Sequence, residues 1–437
     1  MAQTILLKQE MPLMKPSLSN QVPNQKKFFS YGWFLFFLNV IFTGFASTLE
    51  VVPVSFLNQF ISHFSIRLPV AIYTMSSYYY AFIILQIPIA ILLDKYKPKW
   101  LVTGSLLITG IGCFLFAKSH QLLVAGIARF LMGTGSAFTF IYGLKSASDW
   151  FPLKNFAFRI GLFIALENLC NFILNHSFYH ISVHIGWRKV SLVFSIISIA
   201  LAMISFFFIH NRSGPYCIVS DTKGEFRHGI RKLFDCSQMW VIGITTGLVI
   251  GALFSFIGRW GTSFLRTAYQ ATPFTILLFT ITMYLGYTLG SAFFGYVSTS
   301  LQKRKMFIPW GILFAILMLI LIIYPPYLSD AQIFCIFFAL GLSISPVNLG
   351  YVTLCEQNIP QVKATAIAVI HTAYAIVIAS SDLFTSILLE LVTAIGGRSQ
   401  YNLYDFQISF FSLPIYLTVA LFFSFFIRET YARQREI

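Results

Sequence analysis

Two opposite charges stand inside apolar runs: Glu50, within Ser47-Thr48-Leu49-Glu50-Val51-Val52-Pro53, and Arg129, within Arg129-Phe130-Leu131-Met132-Gly133-Thr134-Gly135. A carboxylate held away from water can take up and release a proton, and a nearby guanidinium would set when it does so. That is the chemistry of proton carriage. At about 1.5 Å rise per residue both lie roughly 10–13 Å below the same end of their segments, so matching depth predicts that Glu50 and Arg129 pair. A permanent clasp without titration is the competing reading. A second acid, Glu167, lies in Ala165-Leu166-Glu167-Asn168 about eight residues beyond Arg159, too deep for a surface charge. His371 and Asp382 share a later apolar run; His371 titrates near neutrality and could couple or gate, or could be a hydrogen-bonded core histidine, whereas Asp382 could simply face water near the segment's end.

The elements that must position these groups are set by composition. Of 437 residues, 57% are hydrophobic and only 10% charged, which cannot clothe a soluble surface. A helix needs about 20 apolar residues to cross the roughly 30 Å hydrocarbon core, and only helices and closed barrels satisfy their own backbone there. The runs are long and lack two-residue alternation, so helices are expected. Spans are predicted near 31–57, 69–93, 99–118, 122–147, 156–180 and 188–210, then 237–258, 273–298, 304–324, 330–352, 361–390 and 406–428. The fold class is therefore an all-α membrane protein, with twelve transmembrane helices in two six-helix pseudo-symmetric bundles. Domain limits follow: a tail over 1–29, a first bundle over 30–210, a linker over 211–236, a second bundle over 237–428 and a tail over 429–437.

Lys and Arg orient the chain, because positive charge is retained on the cytoplasmic side during insertion. Most of the 30 Lys and Arg fall in the tails, the linker and alternate loops if both termini are cytoplasmic. The expected location is thus the cytoplasmic (inner) membrane, multi-pass. The net charge of +15 reads as topology and contact with membrane lipid, not nucleic-acid binding. The N-terminal segment has no apolar core or small-residue cleavage site and reads as a tail, not a secretory signal. Cys113, Cys170, Cys217, Cys236, Cys335 and Cys355 show no redox or metal spacing.

Two short connections add family information. Asp94-Lys95-Tyr96-Lys97-Pro98-Lys99 joins the second and third spans, and Thr299-Ser300-Leu301-Gln302-Lys303-Arg304-Lys305 follows Gly295 at the matching place in the second half. The first resembles the signature Gly-x-x-x-Asp-(Arg/Lys)-x-Gly-(Arg/Lys)-(Arg/Lys) of the major facilitator superfamily. Asp94, Lys95 and Lys99 match it; Ala90, Lys97 and Pro98 depart. The resemblance implies that Asp94, Lys95 and Lys99 form an ion-pair latch between neighbouring helices. In the second copy Thr299 replaces the acid, which argues against a charged latch there. The Arg129 segment resembles the family's Arg-x-x-x-Gly-x-Gly motif, tied to proton coupling, and the Glu50 segment resembles the acid-then-proline ending of its first span.

Polar residues on spans that line the central cavity in this family are then the substrate candidates: Asn39, Thr43, Tyr142, Lys145, Thr245, Thr246, Ser343, Ser345 and Asn348. One of Tyr78, Tyr79 and Tyr80 is expected at a gate. The fifth span would abut the eighth, whose Tyr284, Tyr287 and Thr288 offer hydroxyls to Glu167 as a second protonation site or substrate ligand. Arg129 and Lys145 would suit a carboxylate-bearing solute. The implied function is a secondary active transporter of a small organic solute, coupled to protons by symport and working as a monomer. A proton-driven exporter of a siderophore or drug is the alternative; the run from Gly161 to Asn175 lacks the glycines and proline common in antiporters. A transport-dead sensor would need an output domain. No nucleophile–His–acid spacing, phosphate-cradling glycine loop or metalloprotease motif occurs, so neither enzyme activity nor a cofactor is expected. His176, His180 and His184 could stack on one helical face and ligate a transition metal. Ile185-Gly186-Trp187-Arg188 reads as a turn that would end the helix before His184, and no metal site is assigned.

Overall fold

The computed structural model describes residues 25–151, 156–210, 231–324, 328–358, 362–398 and 400–432, and among them every regular element is helical. Most of the linker and both extreme tails lie outside the described residues. Twelve apolar helices follow in order: α1 (Gln25–Val51), α2 (Leu68–Lys95), α3 (Pro98–Lys118), α4 (Leu122–Trp150), α5 (Phe156–Ile185), α6 (Trp187–Phe208), α7 (Ser237–Tyr269), α8 (Pro273–Ser300), α9 (Phe307–Ile323), α10 (Asp330–Gln357), α11 (Lys363–Ile395) and α12 (Leu403–Ser424). Eleven are long and apolar enough to cross a membrane, and α9 is shorter. The end where α6 leaves and α7 enters is called the linker end below.

Several ends differ from the expected spans for identifiable reasons. The first span stops being α-helical at Val51, and a 3₁₀ turn (Val52–Phe56) takes over, because Pro53 has no N–H to continue the ladder. A short helix, Leu57–Phe64, then folds over the end opposite the linker, where Phe56 and Phe60 pack against Trp187 and Phe116. The fifth span does not end before His184: α5 runs to Ile185, and Gly186, at φ +77°, makes the turn into α6. His176 and His184 are on α5, while the side chain of His180 lies outside the described residues. The seventh span does not stop at 258 either. It continues through a π-helical turn (Phe256–Trp260) to Tyr269, which draws Arg259 into the bundle.

Helices in lipid associate by close fit rather than by hydrophobic exclusion, so small residues mark the crossings. Gly243, Gly247 and Gly251 recur every fourth residue on α7 and receive α11: a Cβ on Gly247 would sit 2.4 Å from the Ala373 Cβ and 2.8 Å from the Tyr374 nitrogen. This crossing sets where Tyr374 stands. Gly44 of α1 leaves room for Cys170 of α5, since a Cβ there would fall 2.6 Å from its sulfur, and so brings Ser47 beside Glu167. The two halves meet along two seams, α2 against α11 and α5 against α8. At the linker end of the second seam, Gly161 passes so close to α8 that a Cβ would be 2.5 Å from the Ser291 carbonyl oxygen.

Gly247→Ala should therefore lower stability by about 1–3 kcal/mol through overpacking against α11. Gly104, with no atom near its missing Cβ, is the control, and Gly104→Ala should stabilise by up to about 1 kcal/mol through helix propensity. Thermal melting of the two purified variants in detergent checks the pair; equal shifts would remove the close-crossing account.

Candidate functional site

Between the halves lies a central cavity of about 80 Å³, walled by α1, α2, α4, α5, α7, α8, α10 and α11. Thr43, Glu50, Glu167, Asn348 and His371 all face it. With Tyr78 and Tyr287, seven of the residues singled out from sequence are thereby brought to one chamber. Their wall is completed by Ser47, Tyr78, Phe140, Asn168, Asn171, Phe254, Tyr287, Tyr351 and Tyr374.

Glu50 occupies the junction of the halves. Its Oε1 accepts a hydrogen bond from Tyr79 Oη of α2 at 3.0 Å and a short one from Tyr374 Oη of α11. The expected ion pair with Arg129 does not form. Arg129 is fully buried, donating from Nη1 to the Leu49 carbonyl at 2.8 Å and from Nε to the Met75 carbonyl at 3.4 Å, with its guanidinium 4.9 Å from the Tyr78 ring centroid. The reason lies at the end of α1. An unbroken helix would bond the Leu49 carbonyl to the N–H four residues on, but that residue is Pro53. Arg129 supplies the missing donor. Glu50, one residue past Leu49, is rotated by about 100° and faces the other half.

Glu167 is buried, and its carboxylate accepts from Ser47 Oγ and, at 3.1 Å, from Asn168 Nδ2. Of the α8 residues expected near Glu167, Tyr287 donates its Oη to Asn348 Oδ1 at 3.0 Å, and the Tyr284 ring lies against Phe172. Asn348 Nδ2 in turn donates to Ser291 Oγ at 2.9 Å. His371 is not hydrogen-bonded; both ring nitrogens lack a partner among the described residues, and the ring packs 4.1 Å from the Phe140 centroid.

Arg259 was missed by the sequence because it counted as a loop residue. It is 6% exposed and pairs with Asp382 of α11 at 3.0 Å, while Ser255, one turn earlier on α7, donates to the same carboxylate at 2.6 Å. Asp382 is thus buried and charge-paired, not water-facing. The Arg259 guanidinium also lies 5.9 Å from the Tyr79 ring centroid, linking this pair to the Glu50 junction. Tyr374 was missed too, since nothing in an apolar run distinguishes a seam tyrosine from a packed one.

At the linker end, Asp94 binds across the first seam. Its side chain is fully buried, and it accepts from the Ala364 N–H at 3.1 Å, the Thr365 N–H at 2.9 Å and Thr365 Oγ1 at 2.8 Å, capping the N-terminus of α11. A carboxylate is well placed there, opposite the positive end of the helix dipole. Its basic partner is Lys145 at 3.0 Å, not Lys95 or Lys99. Lys95 lies over the Tyr96 ring and Lys99 over Phe206. Lys145, expected among the substrate ligands, is away from the cavity. Asn39, Tyr142, Thr245 and Ser345 are likewise buried between helices rather than on the cavity wall. In the second half Thr299 does not end the charge pattern: Arg304 pairs with Glu356 of α10 at 2.8 Å and donates to Thr299 Oγ1, while Glu429 accepts from the Arg304 and Lys305 N–H groups. The acids come from distant segments, which spacing within one loop could not show.

Comparison with known proteins adds the following. The family profile described as Major Facilitator Superfamily matches residues 29–381. The chain is 22% identical over 243 residues to a probable sulfoacetate transporter, SauU, of Cupriavidus necator, covering 52% of this chain and 56% of that protein. It is 28% identical over 145 residues to a probable galactarate/D-glucarate transporter, GarP, of Escherichia coli K12, covering 32% and 33%. The chain thus spans about half or less of the length of these curated relatives. A crystal structure of a bacterial homologue of the human lysosomal transporter Spinster, inward-facing and unoccupied, superposes with a TM-score of 0.66 at 14% identity, over 93% of this chain and 99% of that one.

Two tests follow from the geometry. Removing one partner of a buried ion pair strands the other, so Asp382→Ala should cost about 3–5 kcal/mol, and the double variant Arg259→Met with Asp382→Leu markedly less. Additive losses in chemical unfolding would show that the pair is not coupled. Asp94→Ala should loosen the linker end, where Cys355 is 3% exposed, so alkylation of Cys355, followed by mass spectrometry, should quicken several-fold. An unchanged rate would deny Asp94 its closing role.

Proposed function

Because the chain belongs to the major facilitator superfamily, we propose that it carries a small organic solute across the cytoplasmic membrane by alternating access, with protons moving in symport and both termini in the cytoplasm. The observation that carries the coupling is the Glu50 junction, where one carboxylate accepts from a tyrosine of each half. Moving the halves apart at this level removes the Tyr374 donor and leaves the carboxylate with Tyr79 of its own half as its remaining donor, which disfavours the charged form in a low-dielectric site. Protonation of Glu50 removes that charge. The halves then re-orient more readily with the proton on board, and the proton leaves when the opposite side opens to water. His371 and Glu167 share the cavity and stand ready to relay a proton or to bind solute.

The arrangement at the linker end supports a state closed on that side, with Asp94 on the α11 N-terminus and Gly161 against Ser291. Basic residues near the linker favour placing this end in the cytoplasm. The relatives named for sulfoacetate and for galactarate/D-glucarate agree with a small polar solute as cargo.

Glu50→Gln keeps a hydrogen-bonding group at the junction but cannot exchange a proton. In proteoliposomes this variant should still exchange solute across the membrane while losing accumulation driven by an inward proton gradient. Accumulation equal to that of the unmodified protein would remove Glu50 from the coupling, and solute expulsion under the same gradient would mark an exporter.

A further inference from the structure

We infer that the central cavity takes a solute bearing a protonated amine or other organic cation, recognised by the Glu167 carboxylate and the surrounding aromatic faces. The inference rests on the transport reading above and names its substrate class.

Formal charge on the cavity wall is the first observation. Glu50 and Glu167 face the chamber, and none of the lining residues is Lys or Arg. Each nearby cation is engaged elsewhere. Arg129 is turned to the carbonyls of Leu49 and Met75, Arg259 is paired with Asp382, and Lys145 is paired with Asp94 at the linker end. Glu167 is held only by neutral donors, Ser47 Oγ and Asn168 Nδ2, and no ion pair to it forms among the described residues. A carboxylate in this setting is stabilised by an incoming positive charge and repels an incoming negative one.

The remaining wall suits the same class. The rings of Phe140, Phe254, Tyr351 and Tyr374 face the cavity, and aromatic faces attract organic cations. His371 offers a ring nitrogen with no partner among the described residues, able to accept a hydrogen bond from an ammonium N–H. The two carboxylates also divide the work: Glu50 is held by the tyrosines of both halves, which leaves Glu167 to the solute. The relatives named for sulfoacetate and galactarate/D-glucarate carry names of anions. An anion would find no fixed cation on this wall.

The test uses the purified full-length protein with agmatine and choline as cationic probes, sorbitol as a neutral one, and glucarate and sulfoacetate as anionic ones. Agmatine or choline should raise the melting temperature saturably and show counterflow in proteoliposomes, whereas the anions should do neither. Glu167→Gln should weaken cation affinity by about tenfold or more, the size of a lost contact to a charged group, with Glu167→Asp retaining most of it. If Glu167→Gln does not fold, the Glu167→Asp variant and the ranking of probes on the unmodified protein decide. Stabilisation by glucarate or sulfoacetate, silence of both cations, or undiminished cation binding by Glu167→Gln would each overturn the inference. Cation counterflow that ignores a pH gradient would keep the inference and sink proton coupling; glucarate accumulation driven by that gradient would do the reverse.

Discussion

Every charge inside this bundle must be answered by an opposite charge or by a set of hydrogen-bond donors or acceptors, because hydrocarbon supplies neither. The answers fall into two kinds. Asp382 meets Arg259, Glu356 meets Arg304, and Asp94 meets both Lys145 and the amide end of α11. Arg129 meets free carbonyls at the end of α1. Each of these is tied to a group that keeps its charge or dipole at any physiological pH. Glu50 and Glu167 are different: their partners are hydroxyls and an amide, which tolerate a protonated carboxyl as readily as a carboxylate. The two acids to which the proposed mechanism assigns chemistry are thus those whose charge is not fully compensated.

α11 joins these features mechanically. Its N-terminus is capped by Asp94 of the first half, and nine residues along, about 13 Å at helical rise, its Tyr374 donates to Glu50 of the first half. Beyond that, Asp382 locks it to α7 within its own half. One rigid helix thus feels the first half at two levels and is anchored to the second between glycines that leave no slack. Under the proposed mechanism, a shift of α11 at the Glu50 junction would move its capped end as well, and any coupling between the two sites would be reciprocal.

Much of this was legible in the sequence, and the part that was not shares one cause. Span number, the bundle pairing and the shared depth of Glu50 and Arg129 follow from hydropathy and from rise along a helix. Depth says nothing about azimuth. Glu50 and Arg129 were correctly placed at one height and wrongly placed face to face, because Pro53 redirects the arginine to a carbonyl. Lys145 carries the same lesson: its helix lines the cavity, yet its side chain reaches the other way to Asp94. Arg259 needed knowledge of a π turn that carries α7 past its apparent end. Tyr374 and Glu356 act across the fold, and no local pattern announces contacts of that kind.

Fold and cargo part company here for a physical reason. The architecture is maintained by close helix crossings spread through both halves, and its likeness survives at 14% identity to a solved structure. The charge of the chamber depends on very few positions, since one arginine turned into or away from the cavity inverts what it attracts. In this chain Arg129 is turned away by a proline on another helix and Arg259 by an aspartate on a third. The wall that results presents acid and aromatic faces, so the preference inferred above rests on two redirections that leave the fold untouched. Cargo named for relatives that align over 56% and 33% of their length is weak guidance against that arrangement. What selects the solute is the sign of the groups that actually reach it.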